Sequence, residues 1–142
     1  MFDYVYFGCR FTYTRSSGKG LPLRYQTGNV GSLFWAHYSF LGLDPNGLKD
    51  QYANYFDEMK NYTLANRAYC IRNPKNYKGY GENCWGLTAS YSVKGYAAHA
   101  PNEKEDHGVI SPTAALSSIV YTPEESIDVM KYLYQKDRKS VV

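Results

Sequence analysis

The segment GYGENCWGLTAS, residues 79–90, places one carboxylate among glycines and aromatic rings. Glu82 is followed by Asn83, and Tyr80 and Trp85 flank this pair. Aromatic rings can stack on the apolar faces of sugar rings, while carboxylate and amide groups bind hydroxyls. We therefore interpret the segment as a ligand site, with Glu82 as the candidate for a direct chemical role. The alternative interpretation is a structural loop in which Glu82 caps the CWGLTAS segment.

The charged run NEKEDHG, residues 102–108, supplies further groups that could take part in chemistry. Hydrolysis of a glycosidic bond usually needs two carboxylates, one acting as the acid and one as the base or nucleophile. Glu103 and Glu105 are typical of a solvated loop, whereas Asp106 and His107 are candidates for substrate contact. The spacing of these residues matches no metal-binding motif, so the sequence predicts no metal site.

A third candidate position is the apolar stretch SLFWAHYSFLGL, residues 32–43. Its hydrophobic residues occupy nearly the whole circumference of a helix, which predicts a helix buried on most sides. His37 within it is interpreted either as a hydrogen-bonded core histidine or, together with Tyr38, as the border of a ligand pocket.

Composition limits the classes of protein that the 142 residues can form. The net charge of +3 comes from interspersed basic and acidic residues, which gives no basic patch for nucleic acid. No apolar stretch approaches the roughly 20 residues that a membrane helix needs. The three cysteines are widely spaced and predict neither a disulfide framework nor a zinc site. The sixteen tyrosines suit a wet, apolar binding surface or, equally, the core of a helical scaffold.

Hydrophobic spacing and turn residues predict a mainly helical chain. Asp44 is the predicted cap of the second helix, and Thr122 with Glu125 forms a predicted capping box for the last one. The buried face of that last helix is predicted to carry Ile127, Met130, Leu133 and Tyr134. In chain order the predicted elements are a strand-and-loop region over Phe2–Gly31, helices over Ser32–Leu43 and Leu48–Ile71, a loop over Asn76–Ser111, a short helix over Ser111–Val120 and a helix after Thr122.

The last six residues, DRKSVV, have an unusual property at the level of DNA. Read back as GAT CGG AAG AGC GTC GTG, they match a common short-read sequencing adapter. We therefore expect residues 1–136 to belong to one domain and residues 137–142 to be a translated adapter.

Three long motifs resemble consecutive segments of one family: FWAHYSFLGLDPNGLKD, NRAYCIRNPKNYKGYGENCWGLTAS and GVISPTAALSSIVYTPEES. They are similar to the bacterial glucoamylase-like proteins, which include the endo-β-1,2-glucanases of glycoside hydrolase family 144. The resemblance covers about residues 31–134. It implies an all-α fold and a partial (α/α)6 toroid, in which helical hairpins with long loops surround a sugar cleft. A small β-hairpin near the N-terminus remains compatible with this fold.

The resemblance also implies a function. The expected reaction is inverting hydrolysis of β-1,2-glucan without a cofactor, by a parent protein exported to the periplasm or cell surface. We expect the main acid–base pair to lie outside this piece, which supplies substrate-binding residues and is inactive alone. The alternatives are the glucoamylase-like domain of a cyclic β-1,2-glucan synthase and a non-catalytic glucan-binding protein. The candidate substrate-binding residues are Tyr80, Glu82, Asn83, Trp85, Tyr38, His37, Asp106 and His107.

Overall fold

The computed structural model describes residues 31–51 and 53–138. These residues form a largely helical structure with one small antiparallel sheet, so the predicted helical class is confirmed at that level. None of the described helices is both long and apolar enough to cross a membrane. The elements are α1 (Leu33–Tyr38), α2 (Tyr55–Arg72), β1 (Ser90–Ser92), β2 (Gly95–Ala97), α3 (Pro112–Ser117), a 3-10 turn (Ser118–Val120) and α4 (Pro123–Arg138).

The predictions for the two regions outside the helices have different outcomes. All of the predicted strand-and-loop region Phe2–Gly31 except Gly31 lies outside the described residues. The loop predicted over Asn76–Ser111 contains the hairpin of β1 and β2, in which Tyr91 pairs with Tyr96 across the strands. With three residues in each strand, the hairpin is too short to show a clear alternation of polar and apolar residues.

The helix α2 begins later than predicted. An isolated bridge between Lys49 and Asn54 lies ahead of the helix instead. The carboxylate of Asp50 accepts hydrogen bonds from the Ala53 N–H at 2.9 Å and the Tyr55 hydroxyl at 2.8 Å. Such local side-chain bonds offer the backbone an alternative to the helix.

Asp44 does not cap a helix either, because its carboxylate accepts from the backbone N–H of Asn46 within a turn. The predicted end of α2 is confirmed at Asn73, whose left-handed backbone, with φ of 44°, terminates the helix before Pro74.

The segment from Trp85 to Thr88 lies in the centre of the fold. Leu87 is fully buried, and Asn66 of α2 binds both its N–H and its carbonyl, each at 3.0 Å. The N–H of Leu33, at the start of α1, donates to the same carbonyl at 3.1 Å. Helices α1 and α2 are therefore joined through the backbone of Leu87.

Gly86 brings the same segment against α3. Its carbonyl accepts from the N–H of Ser111 at 3.0 Å, and its φ is 122°. A Cβ atom at this position would lie only 2.7 Å from the carbonyl oxygen of Ser111. Only glycine fits both the backbone conformation and the close approach.

The buried face of α4 agrees only in part with the predicted one: Leu133 is partly buried against the core, as predicted, but other positions differ. Ser126 and Val129 are each 1% exposed, and the Ser126 hydroxyl donates to the carbonyl of Ala115 in α3 at 2.8 Å. Met130 and Tyr134, which were predicted to be buried, are 51% and 64% exposed. The buried face of α4 therefore runs through Ser126 and Val129, and at Ser126 the hydroxyl is satisfied by a helix carbonyl of α3.

The helix α1 is also shorter and more exposed than predicted. Only Leu33 and Ala36 of its six residues are buried. Phe34, Trp35 and Tyr38 each expose about half of their surface, so the prediction of a helix buried on most sides is wrong for the described structure.

Candidate functional site

Glu82 and Asn83 lie at the tip of a tight turn. Gly81 and Cys84 close this turn by exchanging two backbone hydrogen bonds of 3.1 and 3.2 Å. Both tip residues are exposed to solvent. We call residues 81–84 the Glu82 turn.

Arg67 of α2 holds the Glu82 turn from one side. Its Nε donates to the Glu82 carbonyl at 3.2 Å, and its Nη2 contacts the Glu82 carboxylate at 3.3 Å. The Glu82 side chain remains 75% exposed, so this ion pair adds little stability and leaves the carboxylate open to a ligand. An exposed carboxylate beside an amide can bind sugar hydroxyls or move a proton to or from a sugar oxygen.

Tyr80 and Asp106 were predicted separately, and the structure brings them together. The Tyr80 hydroxyl donates to Oδ1 of Asp106 at 2.7 Å, and the Tyr69 hydroxyl donates to Oδ2 at 3.1 Å. Burial, and then the hydrogen bond to Asp106, raises the pKa of both tyrosines. Both phenols therefore keep their protons and act as donors to the carboxylate.

Asp106 cannot contact substrate in this structure, because it is fully buried. The prediction of direct contact is wrong for this residue, and the physical reason is the tyrosine pair that covers its carboxylate. Glu103 and Glu105 in the same run are exposed, as predicted for a solvated loop.

Trp85 has no exposed surface and belongs to the hydrophobic core. Its Nε1 has no hydrogen-bond partner among the described residues. The prediction that Trp85 stacks on a sugar ring does not fit this burial. The indole instead lies in the core beside Gly86, which packs closely against α3.

His37 and Tyr38 lie on α1 and contact a different set of residues. The His37 ring is 5.4 Å from the Tyr121 ring, and its Nδ1 lies 3.4 Å from the Ser117 hydroxyl. Burial lowers the pKa of His37. Tyr38 is 56% exposed, with its ring 5.4 Å from that of Phe34. These contacts place His37 against the end of α3, and the Tyr38 ring remains accessible.

His107 is exposed, and its ring meets that of His99 edge-on at 5.6 Å. His99 is 1% exposed, and burial is the main cause of its lowered pKa. In the part of the chain that the structure describes, no group of three or more histidine, cysteine or acidic side chains could hold a metal ion.

Neither Arg67 nor Tyr69 was placed in the candidate site from the sequence. Both lie on α2, whereas their partners Glu82 and Asp106 follow 15 and 37 residues later. Pairing over such distances depends on how the loop folds back on α2, which local spacing does not encode.

Comparison with known families gives a direct match. The family model Glycoamylase, described as "Putative glucoamylase", matches residues 5–142. The chain belongs to the glycoamylase family. The predicted resemblance is therefore confirmed over most of the chain.

Relatives in this family include hydrolases of β-1,2-linked glucose chains. An exo β-1,2-glucooligosaccharide sophorohydrolase (non-reducing end) of Parabacteroides distasonis is 44% identical over 116 residues, or 82% of this chain. A solved endo-β-1,2-glucanase from Chitinophaga pinensis, in complex with sophorotriose and glucose, is 56% identical, with a TM-score of 0.80 over 93% of this chain. A solved structure from Bacteroides caccae is 67% identical, with a TM-score of 0.78 over 91% of this chain.

The chain is much shorter than these relatives. It spans 16% of the length of the sophorohydrolase and 32% of each of the two solved chains.

Proposed function

We propose that this chain is part of a glycoside hydrolase that acts on β-1,2-glucan, and that the Glu82 turn belongs to its substrate cleft. The observation that carries the proposal is the similarity to the Chitinophaga pinensis endo-β-1,2-glucanase, at 56% identity and a TM-score of 0.80. An exposed carboxylate and amide on a tight, anchored turn supply groups that suit the hydroxyls of such a substrate.

The proposed architecture is a partial (α/α)6 toroid. The exposed rings of Phe34 and Trp35 on α1, and of Tyr134 on α4, are apolar surface that neighbouring helices of a toroid would cover. From the family resemblance we also propose that the parent protein acts in the periplasm or at the cell surface. The 142-residue chain, which spans a third or less of its relatives, is inactive alone.

The proposed reaction is inverting hydrolysis. It requires an acid and a base about 6.5–9.5 Å apart, so that a water molecule fits between the base and the sugar. Within the described residues, Glu82 is the exposed acidic group that we assign to the cleft. It contacts the substrate directly, as does Asn83, while the main acid–base pair comes from other parts of the parent protein.

The test begins with the complete reading frame, expressed and assayed for sugar release from linear β-1,2-glucan, with linear β-1,3-glucan as a comparison. We expect release from the β-1,2-linked polymer and a product of inverted anomeric configuration, as followed by NMR. Glu82→Gln should lower kcat/KM by at least about tenfold, because it removes a charge that faces the sugar. Glu124→Gln, on the exposed first turn of α4, is the matched control and should retain activity.

The outcomes separate the competing functions. Transfer of glucosyl groups to form cyclic products would favour a synthase, and binding without release would favour a glucan-binding protein. Full activity of Glu82→Gln would remove the Glu82 turn from the proposed site while leaving the substrate class intact.

A further inference from the structure

Three side-chain contacts close a ring between α2 and the Glu82 turn. Arg67 of α2 contacts Glu82, Tyr80 immediately precedes the turn and donates to Asp106, and Asp106 accepts from Tyr69 of α2. This closed series of contacts therefore begins on α2 at Arg67 and ends on the same helix at Tyr69. We propose that Asp106 is a positioning residue that fixes the Glu82 turn against α2 and so orients Glu82 toward substrate. This inference rests on the proposed function of the turn.

The geometry of Asp106 suits such a role. Each of its carboxylate oxygens accepts a different tyrosine hydroxyl, so the one side chain joins the turn to the helix. Hydrogen bonds to an ionised acceptor are shorter and stronger than those between neutral groups. Because Asp106 is fully buried, water does not compete for these bonds.

Asp106 also accepts hydrogen bonds from groups other than Tyr69 and Tyr80. The backbone N–H of Gly108 donates to its Oδ1 at 3.1 Å, and Lys75 Nζ donates to its carbonyl oxygen at 2.7 Å. The Tyr77 hydroxyl donates to that same carbonyl at 3.3 Å. The backbone and the carboxylate of Asp106 are therefore both held by bonds that do not depend on Tyr80.

Tyr80→Phe tests this role with the smallest change. It removes the hydroxyl that binds Asp106 and keeps the ring, so any stacking of the ring on sugar is retained. In the enzyme from the complete reading frame we expect kcat/KM on β-1,2-glucan to fall about tenfold, which corresponds to about 1.4 kcal/mol. Tyr132→Phe on α4 removes a hydroxyl that accepts a hydrogen bond from Lys136 Nζ at 3.4 Å, and it should retain full activity.

Asp106→Asn is the second variant, with Asp128→Asn on the exposed face of α4 as its matched control. If both residues act through one contact, the Tyr80→Phe/Asp106→Asn double variant should lose less activity than the product of the two single losses. In a Glu82→Gln background neither substitution should lower kcat/KM by more than about twofold, because the group that they orient is already gone.

A purely structural role predicts a different result. Loss of folding stability alone would lower kcat/KM by the same factor with or without Glu82, and that outcome would overturn the inference. So would full activity of Tyr80→Phe in an enzyme that Glu82→Gln impairs. If Glu82→Gln is itself fully active, the proposed role of the turn fails and the positioning role fails with it. If Asp106→Asn does not fold, the Tyr80→Phe comparison in the two backgrounds still decides between these results.

Discussion

Asn66 offers the sharpest test of how the fold is held together. Its side-chain amide binds both the N–H and the carbonyl of Leu87, and these bonds join α2 to the central segment from Trp85 to Thr88. Both residues are fully buried, so no water can replace the lost bonds in a rigid core. We predict that Asn66→Ala strongly destabilises the protein.

The magnitude follows from what each group of Leu87 loses. Its N–H loses the hydrogen bond that it donates to Asn66 Oδ1, and an unsatisfied buried donor costs about 1–3 kcal/mol. Its carbonyl keeps the bond from the Leu33 N–H, so the loss there is an ordinary bond of about 0.5–1.5 kcal/mol. Together the free energy of unfolding should fall by about 1.5–4.5 kcal/mol.

The assay is urea denaturation of the protein from the complete reading frame, with deuterium exchange of the peptide around Leu87 as a local readout. Thr63→Val is the matched control on the same helix. Thr63 is fully buried, and its hydroxyl has no partner among the described residues. Its replacement by an isosteric apolar group should leave stability unchanged or raised. A loss below about 0.5 kcal/mol for Asn66→Ala, or an equal loss in both variants, would refute this reasoning.

The remaining predictions concern glycine packing and pH. Gly86→Ala should lower thermal stability more than Gly79→Ala, because both have positive φ but only the Cβ at position 86 would meet a backbone atom, the Ser111 oxygen at 2.7 Å. Equal shifts in Tm would contradict this. Burial, then the neighbouring His107, lowers the pKa of His99 below its usual 6.5. Below about pH 6.5 the His99 imidazole is protonated in the unfolded chain before it is protonated in the folded one. This residue should therefore reduce the free energy of unfolding as the pH falls below about 6.5. Urea titrations at pH 7.5 and 5.5 should show a smaller pH effect for His99→Gln than for the wild type.

The ends of several helices could be predicted from the sequence. Pro112 and Pro123 begin α3 and α4, and Asn73 ends α2, because proline and a left-handed asparagine act within one turn of the chain. The start of α2 could not be predicted in the same way. Asp44 and Pro45 form a plausible helix start, but the side chain of Asp50 stabilises a competing turn.

It was harder to predict which faces of α1 and α4 are buried than to predict that these two helices form. Helical spacing identifies which residues share a stripe, but not which stripe meets a neighbour. In α4 the contact with α3 depends on Ser126, a polar residue that a hydrophobic pattern passes over. Met130 and Tyr134 follow the pattern and are nevertheless exposed.

The candidate site shows the same limit. Tyr80, Glu82 and Asp106 could be chosen from the sequence because their types suit chemistry, but their relationship depends on contacts over long stretches of chain. Glu82 is 15 residues from Arg67, and Asp106 is 26 residues from Tyr80. Only the folded loop shows that Asp106 lies behind the turn rather than in it.

The mixture of glycines and aromatics in GYGENCWGLTAS has two physical causes, which separate along the segment. Gly86 has its positive φ where a Cβ would collide with backbone, so it is a packing glycine, and its neighbour Trp85 is fully buried with it. Gly79 has positive φ in open space, so it is a turn glycine, and the exposed Glu82 follows it. The exposed side chains, Glu82 and Asn83, lie in the first half of the segment, and that half is the one to which the ligand hypothesis applies. The second half is buried and holds the helices together, because Leu87 bonds to both α1 and α2 and Gly86 packs against α3.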